Sequence, residues 1–229
     1  MTSFTLKYSI KTISKITIIL LIIFSGRQLQ ADAFELGMDS LNAGDFAEAF
    51  CIWRPLAMQG HVEAAYHLGW LYANGNGLRV NISKAAYWWR QSADHGHNDA
   101  MFALALAYTH GEGIKKDYQQ ALDWYLRAAK NGHEDAQEII KQKIANREKG
   151  ILPQLKPLLK ESWVGENVVV SGTKVNLRSS PGVDSVIVKH VTNGHSLIAV
   201  DHQGDWYRVV DPKDMIFAWI ADWLIELNH

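Results

Sequence analysis

The sequence predicts a multidomain protein of α plus β class: an N-terminal α-solenoid of helix-turn-helix repeats followed by a small all-β barrel. Three observations carry that expectation. Gly60, Gly96 and Gly132 recur at a step of 36 residues, as do His61, His97 and His133, and Ala64, Ala100 and Ala136. A break at Pro153 and Pro157 ends the repeating pattern. Beyond Asn167, short β-branched and aromatic runs alternate with turn residues at the spacing of short strands.

The first 33 residues read as an export signal. Lys7, Lys11 and Lys15 precede a stretch of nine residues, Ile16 to Phe24, that is apolar except for Thr17, and Ala31-Asp32-Ala33 has the pattern of a cleavage site. The run is shorter than the roughly 20 residues that span a bilayer, so a membrane is expected as a partner only through an uncleaved signal. A periplasmic or secreted location in a bacterial envelope follows. The whole chain of 229 residues is 48% hydrophobic and 21% charged, a globular composition. Losing Lys7, Lys11, Lys15, Arg27 and Asp32 with the signal leaves 19 basic and 23 acidic residues, a charge of −4. A mildly acidic chain without a basic run argues against nucleic acid as partner. A single cysteine, Cys51, excludes an intramolecular disulfide framework, and no cysteine follows the apolar run to take a lipid.

Residues 34–148 form the repeats. In the unit that starts at Gly60, apolar positions Ala65, Leu68, Gly69 and Tyr72 mark one face of a helix from about Val62 to Ala73. Asn74-Gly75-Asn76-Gly77 ends it, because Gly and Asn tolerate positive φ. A second helix runs from about Ser83, the expected N-cap, to Asp94, with Ala85, Trp88, Trp89, Ser92 and Ala93 on one face. Trp53, Trp89 and Tyr125 hold one aromatic position of the repeat. One such pair cannot bury its apolar face alone, so the pairs stack. Residues 34–60 read as a first pair with a shorter turn at Asn42-Ala43-Gly44-Asp45. Residues 133–148 begin a further copy and then turn polar, as a capping helix does.

These residues resemble Sel-1-like repeats, relatives of the tetratricopeptide repeat, over residues 45–136. The motif is Ala64…Leu68-Gly69…Tyr72…Gly75-Asn76-Gly77…Lys84-Ala85…Trp88-Trp89…Ala93…Gly96, and a second copy runs from Ala100 to Gly132 with Ala105 at the usual glycine. The resemblance implies a protein-binding solenoid whose first helices line a concave face. Tyr66 and Trp70 in one copy, and Phe102 and Leu106 in the next, fall on that face, with Glu63, Asn74 and Asp99 beside them. An aromatic floor with a polar rim suits an extended peptide or a partner helix. The same spacing describes packing residues equally well. A Cys-rich group of relatives associated with penicillin binding has paired cysteines in every repeat, which this chain lacks.

Residues 149–165 read as a linker, since two prolines exclude a regular helix there, and Ile151, Leu155 and Leu158 are placed to dock it. Residues 166–229 contain five strand-like runs, at 168–170, 185–188, 196–200, 206–210 and 217–220, separated by Ser171-Gly172, Ser180-Pro181-Gly182, Asn193-Gly194 and Gln203-Gly204-Asp205. Val175-Asn176-Leu177-Arg178-Ser179-Ser180-Pro181-Gly182, Gly204-Asp205-Trp206-Tyr207-Arg208-Val209 and Ala218-Trp219-Ile220 resemble the bacterial SH-3-like domain, with Ala218 at the usual glycine. That resemblance implies a module for cell-wall peptide, glycan or a proline-containing peptide. Trp206 and Trp219 are the expected lining of its groove, with Asn176, Arg178 and Tyr207 near them. Core packing is the competing reading for Trp206.

No residue pattern points to catalysis. Cys51 lies mid-helix without oxyanion-loop glycines and reads as structural. The three repeat histidines are expected about 10 Å apart, one helix layer each, too far to share a metal ion. No cofactor and no metal are expected. The resulting expectation is a non-enzymatic exported adaptor, its solenoid binding a protein partner and its barrel binding peptidoglycan or a peptide. A cell-wall hydrolase or its accessory subunit, and a regulatory scaffold for an envelope sensor or secretion system, are the alternatives.

Overall fold

A computed structural model describes residues 29–148 and 150–227. Of the expected export signal, residues 1–28 lie outside the described residues, and Ala31-Asp32-Ala33 falls in the first helical segment. The chain divides into two compact units between residues 116 and 117.

The first unit holds helix α1 (29–42), α2 (Phe46–Met58), α3 (Val62–Asn74), α4 (Ile82–Ala93) and α5 (Asn98–His110). Consecutive helices pack as antiparallel neighbours, α2 on α3, α3 on α4 and α4 on α5. Trp53, Ala64, Leu68 and Leu71 are fully enclosed at the centre of the α2–α3 pair, with Phe34, Met38 and Leu41 of α1 packed against them. Glycine is required where a large ring crosses a helix. A Cβ on Gly69 would sit 2.4 Å from Trp89 Cδ1, and one on Gly37 would sit 2.2 Å from Trp53 Nε1. Leu36-Gly37 and Leu68-Gly69 are thus the same repeat position, 32 residues apart because the turn before Phe46 is shorter by four. In the following copy both partners of the motif differ, to Ala105 and Tyr125.

The repeat turns follow one rule. Gly75 takes φ +72°, and its N–H closes α3 on the Leu71 carbonyl; Gly111 repeats this at φ +75° on Ala107. The glycines two residues on approach the first turn of an earlier helix, Gly77 that of α2 and Gly113 that of α4. A Cβ on Gly113 would lie 2.4 Å from the Ile82 carbonyl carbon, and one on Gly77 would lie 2.9 Å from the Ala47 amide. One expected cap moves: Asn81, not Ser83, caps α4, its Oδ1 accepting the Lys84 amide at 2.9 Å. Ser83 is already inside the first turn, and the asparagine carboxamide two residues earlier, at the N-cap itself, reaches the orphan donor.

The second unit holds α6 (Tyr118–Lys130), α7 (Glu134–Ala145) and α8 (Leu152–Leu158), then β1 (Glu166–Val170), β2 (Val175–Arg178), β3 (Ile187–Val191), β4 (Ser196–Gln203), β5 (Trp206–Asp211), β6 (Ile216–Ala221) and β7 (Ile225–Leu227). Helix α8 lies in the segment expected to be an irregular linker and corrects that reading. Pro153 sits in its first turn, where no intrahelical donor is needed, and Pro157 comes one residue before the end, so a helix of seven residues accommodates both. Ile151, Leu155 and Leu158 are buried, as the docking expectation required.

All strand pairs are antiparallel, in the order β3-β2-β6-β5-β4-β1-β7. Gly204-Asp205 is a two-residue hairpin turn between Gln203 and Trp206, with Gly204 at φ +59°. Inward residues Val168, Leu177, Leu197, Val209 and Ile220 are 0% exposed and form the barrel core. Strands β2 and β7 were missed as runs. Strand β2 alternates Val and Leu with Asn and Arg, and β7 is only three residues long. Strand β6, Ile-Phe-Ala-Trp-Ile-Ala, lacks alternation because both its faces are covered. Arg147, just past α7, lies over the Phe217 ring at 4.9 Å and donates from Nη2 to the Phe217 carbonyl at 2.5 Å.

Candidate functional site

In the first unit, the repeat histidines cap helices. Gly60 and Gly96 turn the chain at φ +88° and +96°, which brings the next imidazole to a helix start. His61 Nδ1 accepts the Ala64 amide and His97 Nδ1 accepts the Ala100 amide, each at 3.3 Å; in the second unit His133 does the same for Ala136 at 3.4 Å. The accepting Nδ1 carries no proton, so the His97 proton is on Nε2, which donates to Glu63 Oε2 at 2.8 Å. His97→Ala is expected to cost about 1 kcal/mol, the usual worth of an N-cap, whereas His97→Asn keeps most of it. Urea unfolding of the two variants checks this; equal losses would remove the capping role.

Around this cap the expected concave-face residues are partly assembled. Tyr66 stacks on His97 with ring centres 4.4 Å apart and planes at 22°. Burial, with the Asp99 and Glu63 charges, pushes the Tyr66 hydroxyl above its ordinary value. His67 meets Tyr66 edge-on and stacks on Trp53 at 4.7 Å; burial holds its imidazole below the usual range. Phe34 stacks on His61 and Trp53. A ring ladder therefore runs from His61 through Phe34, Trp53, His67 and Tyr66 to His97, with Glu63 at its exposed end. Trp70 is half-buried against the α2–α3 core, and the Asn74 side chain bonds the Trp70 carbonyl at 2.9 Å. Phe102 and Leu106 are half-buried on α5. Sequence spacing placed these residues on one face. It missed Phe34 and His67, which both stack on Trp53 of α2. Cys51 is exposed on α2, because its neighbours Ala49 and Trp53 hold the core side of the helix.

In the second unit, a buried acid ties the barrel together. Asp211 is 0% exposed; its Oδ2 accepts from Lys189 Nζ at 2.6 Å and faces His195 Nε2 at 2.7 Å, while Oδ1 accepts the Lys213 amide at 3.0 Å. Lys189 also reaches Asp214 at 2.5 Å. Burial raises the Asp211 carboxyl, but the bonds from Lys189, the Lys213 amide and His195 outweigh it and hold the group below its ordinary 3.8. Its folded value is depressed, so its contribution is present above that ordinary value and is lost as pH falls through the folded one. Asp211→Asn is expected to cost about 2 kcal/mol, because two donors lose a buried acceptor while Lys189 remains partly solvated. It should also flatten the acid limb of stability below pH 3.8, which chemical unfolding across pH 2 to 5 measures.

The expected barrel groove is only partly assembled. Register places Arg178 opposite Trp219, and Trp219 opposite Arg208, in one cross-strand row. Asn176, Trp206 and this row share the face turned away from the barrel core. Trp219 is 9% exposed beneath the Arg208 guanidinium, whose carbon lies 5.5 Å from the ring centre. Burial and the Arg147 charge lower the affinity of Arg208 for its proton. Asn176 Oδ1 accepts from His190 Nδ1 at 2.8 Å, and Arg178 donates to the Ser185 carbonyl at 2.6 Å. Tyr207 departs from the expectation. Alternation along β5 turns it to the opposite face from Trp206, against the barrel core.

Two clefts meet at Tyr207 instead. One, of about 460 Å³, is lined by Lys141, Trp163, Glu166, Asp201, His202 and Tyr207 among others. The other, of about 550 Å³, is lined by Tyr207, Asp222, Trp223, Ile225, Glu226 and Leu227. Trp223 is 62% exposed and meets Trp206 edge-on at 6.2 Å. No group of three His, Cys, Asp or Glu side chains arranged for a metal ion occurs among the described residues. No helix among them is long and apolar enough to cross a membrane.

Comparison with known proteins agrees with the repeat and barrel resemblances. A family model described as Sel1 repeat matches residues 62–97 and 98–133. One described as bacterial SH3 domain matches residues 173–226. No curated protein matches the chain. Among solved structures, the chain is similar to a Sel1 repeat protein from Oxalobacter formigenes at 27% identity and a TM-score of 0.48, over 49% of this chain and 46% of that one. It is similar to c5321, a protective antigen of uropathogenic Escherichia coli strains with an SLR fold, at 25% identity and a TM-score of 0.50, over 52% of this chain and 27% of that one. Helicobacter pylori cysteine rich protein B is 18% identical with a TM-score of 0.41, over 48% of this chain and 93% of that one. The chain thus spans less than half the length of the first two. It carries Sel1 repeats followed by a C-terminal bacterial SH3 domain.

Proposed function

We propose that this chain is an exported, non-enzymatic adaptor of a bacterial envelope. The solenoid holds a protein partner, and the SH3 domain engages peptidoglycan or a wall peptide. The observation that carries the reading is the pairing, on one chain, of a protein-interaction repeat with a domain type often found in wall binding. The half-buried aromatic face of α3 and α5, with Tyr66, Trp70, Phe102 and Leu106 between Glu63 and Asp99, supports the solenoid half. Such a face offers apolar anchors with a charged rim, the composition of a peptide-recognition groove. The basic n-region, short apolar run and Ala31-Asp32-Ala33 support export.

Sedimentation of the full chain with purified peptidoglycan sacculi tests the wall half. Co-sedimentation that falls with added salt and is competed by soluble wall fragments is expected. A chain that stays in the supernatant at all salt concentrations would remove that half of the reading. Cross-linking in cells tests the solenoid half, with links expected from α3 and α5 to one partner protein.

A further inference from the structure

The cleft beside Trp223 has a chemistry of its own. Its walls are aromatic and aliphatic, from Tyr207, Trp223, Ile225 and Leu227, and its charged lining is Asp222 and Glu226. Among the described residues that line it there is no lysine or arginine. Trp223 is 62% exposed, large apolar area left in solvent although Trp206 lies within edge-on contact. The turn that presents it is fixed: residues 222–224 form a single 3₁₀ turn, and the Asp222 amide donates to the Asp205 carbonyl at 3.0 Å. An indole face held rigidly beside two carboxylates attracts cations twice, through the ring quadrupole and through net charge. On β5, the Arg208 guanidinium lies over the Trp219 ring at 5.5 Å.

We propose that this cleft binds a protonated amine carried on a peptide, such as the free side-chain amine of a diamino acid. The ammonium stacks on Trp223, with Asp222 and Glu226 balancing its charge and Tyr207 closing the inner wall. This deepens the wall-binding reading, since it names the group the SH3 domain takes, and it rests on that reading only for the source of the ligand. It also differs from the groove expected from sequence. Of the five residues placed there, Tyr207 alone lines the cleft, while Trp219 is covered by Arg208.

Titration calorimetry of the full chain with a terminally blocked Ala-Lys-Ala peptide, and with the same peptide acetylated on the lysine amine, tests it. The charged peptide is expected to bind at least about tenfold more tightly than the acetylated one. Trp223→Ala, a change at an exposed position, should weaken the charged peptide by a similar factor, and Glu226→Gln should weaken it less and reduce its salt dependence. Equal binding of the two peptides, indifference to Trp223→Ala, or no binding of the charged peptide at millimolar concentration would each overturn the proposal. Failure of the wall reading is distinguishable. Selective amine binding without sedimentation on sacculi supports the cleft and removes the wall, and sedimentation without amine selectivity does the reverse.

Discussion

Trp53→Ala should destabilise the first unit by about 3–5 kcal/mol. Trp53 is wholly enclosed, and its ring stacks on Phe34 and His67, with Gly37 beneath it. Its Nε1 donates to the Phe34 carbonyl at 3.2 Å. Removing the indole leaves a cavity that helices joined by tight turns cannot close, and it strands that carbonyl. Trp53→Phe should recover most of the loss, since a ring still fills the space and only the hydrogen bond goes. In a stack of repeats, damage stays with its neighbours. Hydrogen exchange should therefore show lost protection in α1 and α2 first, while the barrel strands keep theirs. Uniform loss across both units would contradict that local picture.

Gly113→Ala should cost about 2–4 kcal/mol, from two independent causes. At φ +72° an L side chain is strained, and the added Cβ would lie 2.4 Å from the Ile82 carbonyl carbon and 2.5 Å from the Ser83 amide. Backbone cannot swing aside as a flexible side chain can, so α4 must shift against α3. Gly96→Ala separates the causes. Gly96 has φ +96° but nothing within 4 Å of an added Cβ, so it should lose only the conformational part, about 1–2 kcal/mol. If thermal or chemical unfolding finds the two variants equally destabilised, the close approach of the repeat turn to α4 is not a constraint. The repeated Gly-x-Gly would then serve the turn alone.

Much of this architecture was legible because a repeat multiplies its own signal. A step of 36 residues turned single coincidences into aligned columns, and helix bounds near Gly69 followed within a residue or two. The paired glycines read as turns, and the runs at 206–210 and 217–220 read as strands. Residues that act across elements were not legible. Asp211 carries no local pattern that marks it, yet it holds Lys189 of β3 and His195 of the next turn. The capping histidines carried a signal, a Gly-His-x-x-Ala motif before each helix. Histidine is outside the usual cap set of Ser, Thr, Asp and Asn, so the motif does not announce a cap. The imidazole Nδ1 supplies the same acceptor.

The candidate sites divide the same way. Periodicity placed Tyr66 and Trp70, and Phe102 and Leu106, on common helix faces, and the structure leaves all four half-buried there. Alternation should have separated Tyr207 from Trp206, since adjacent strand residues face opposite ways. Burial was the harder quantity. Trp219 and Trp223 are the same residue type four positions apart, yet one is 9% exposed and the other 62%. Their difference comes from what lies above each: the Arg208 guanidinium for Trp219, and an open cleft for Trp223 on its 3₁₀ turn.

Sequence by itself determined the class of fold, the order of repeat and barrel, the positions that turn and the positions that pack, because these depend on local conformational preference and on period. Tertiary structure alone decided which aromatics remain open to a ligand, which acid is buried, and that the proline segment forms a helix. Those outcomes depend on atoms brought together from distant positions, where burial, charge and hydrogen-bond partners are set by the neighbours and not by the residue.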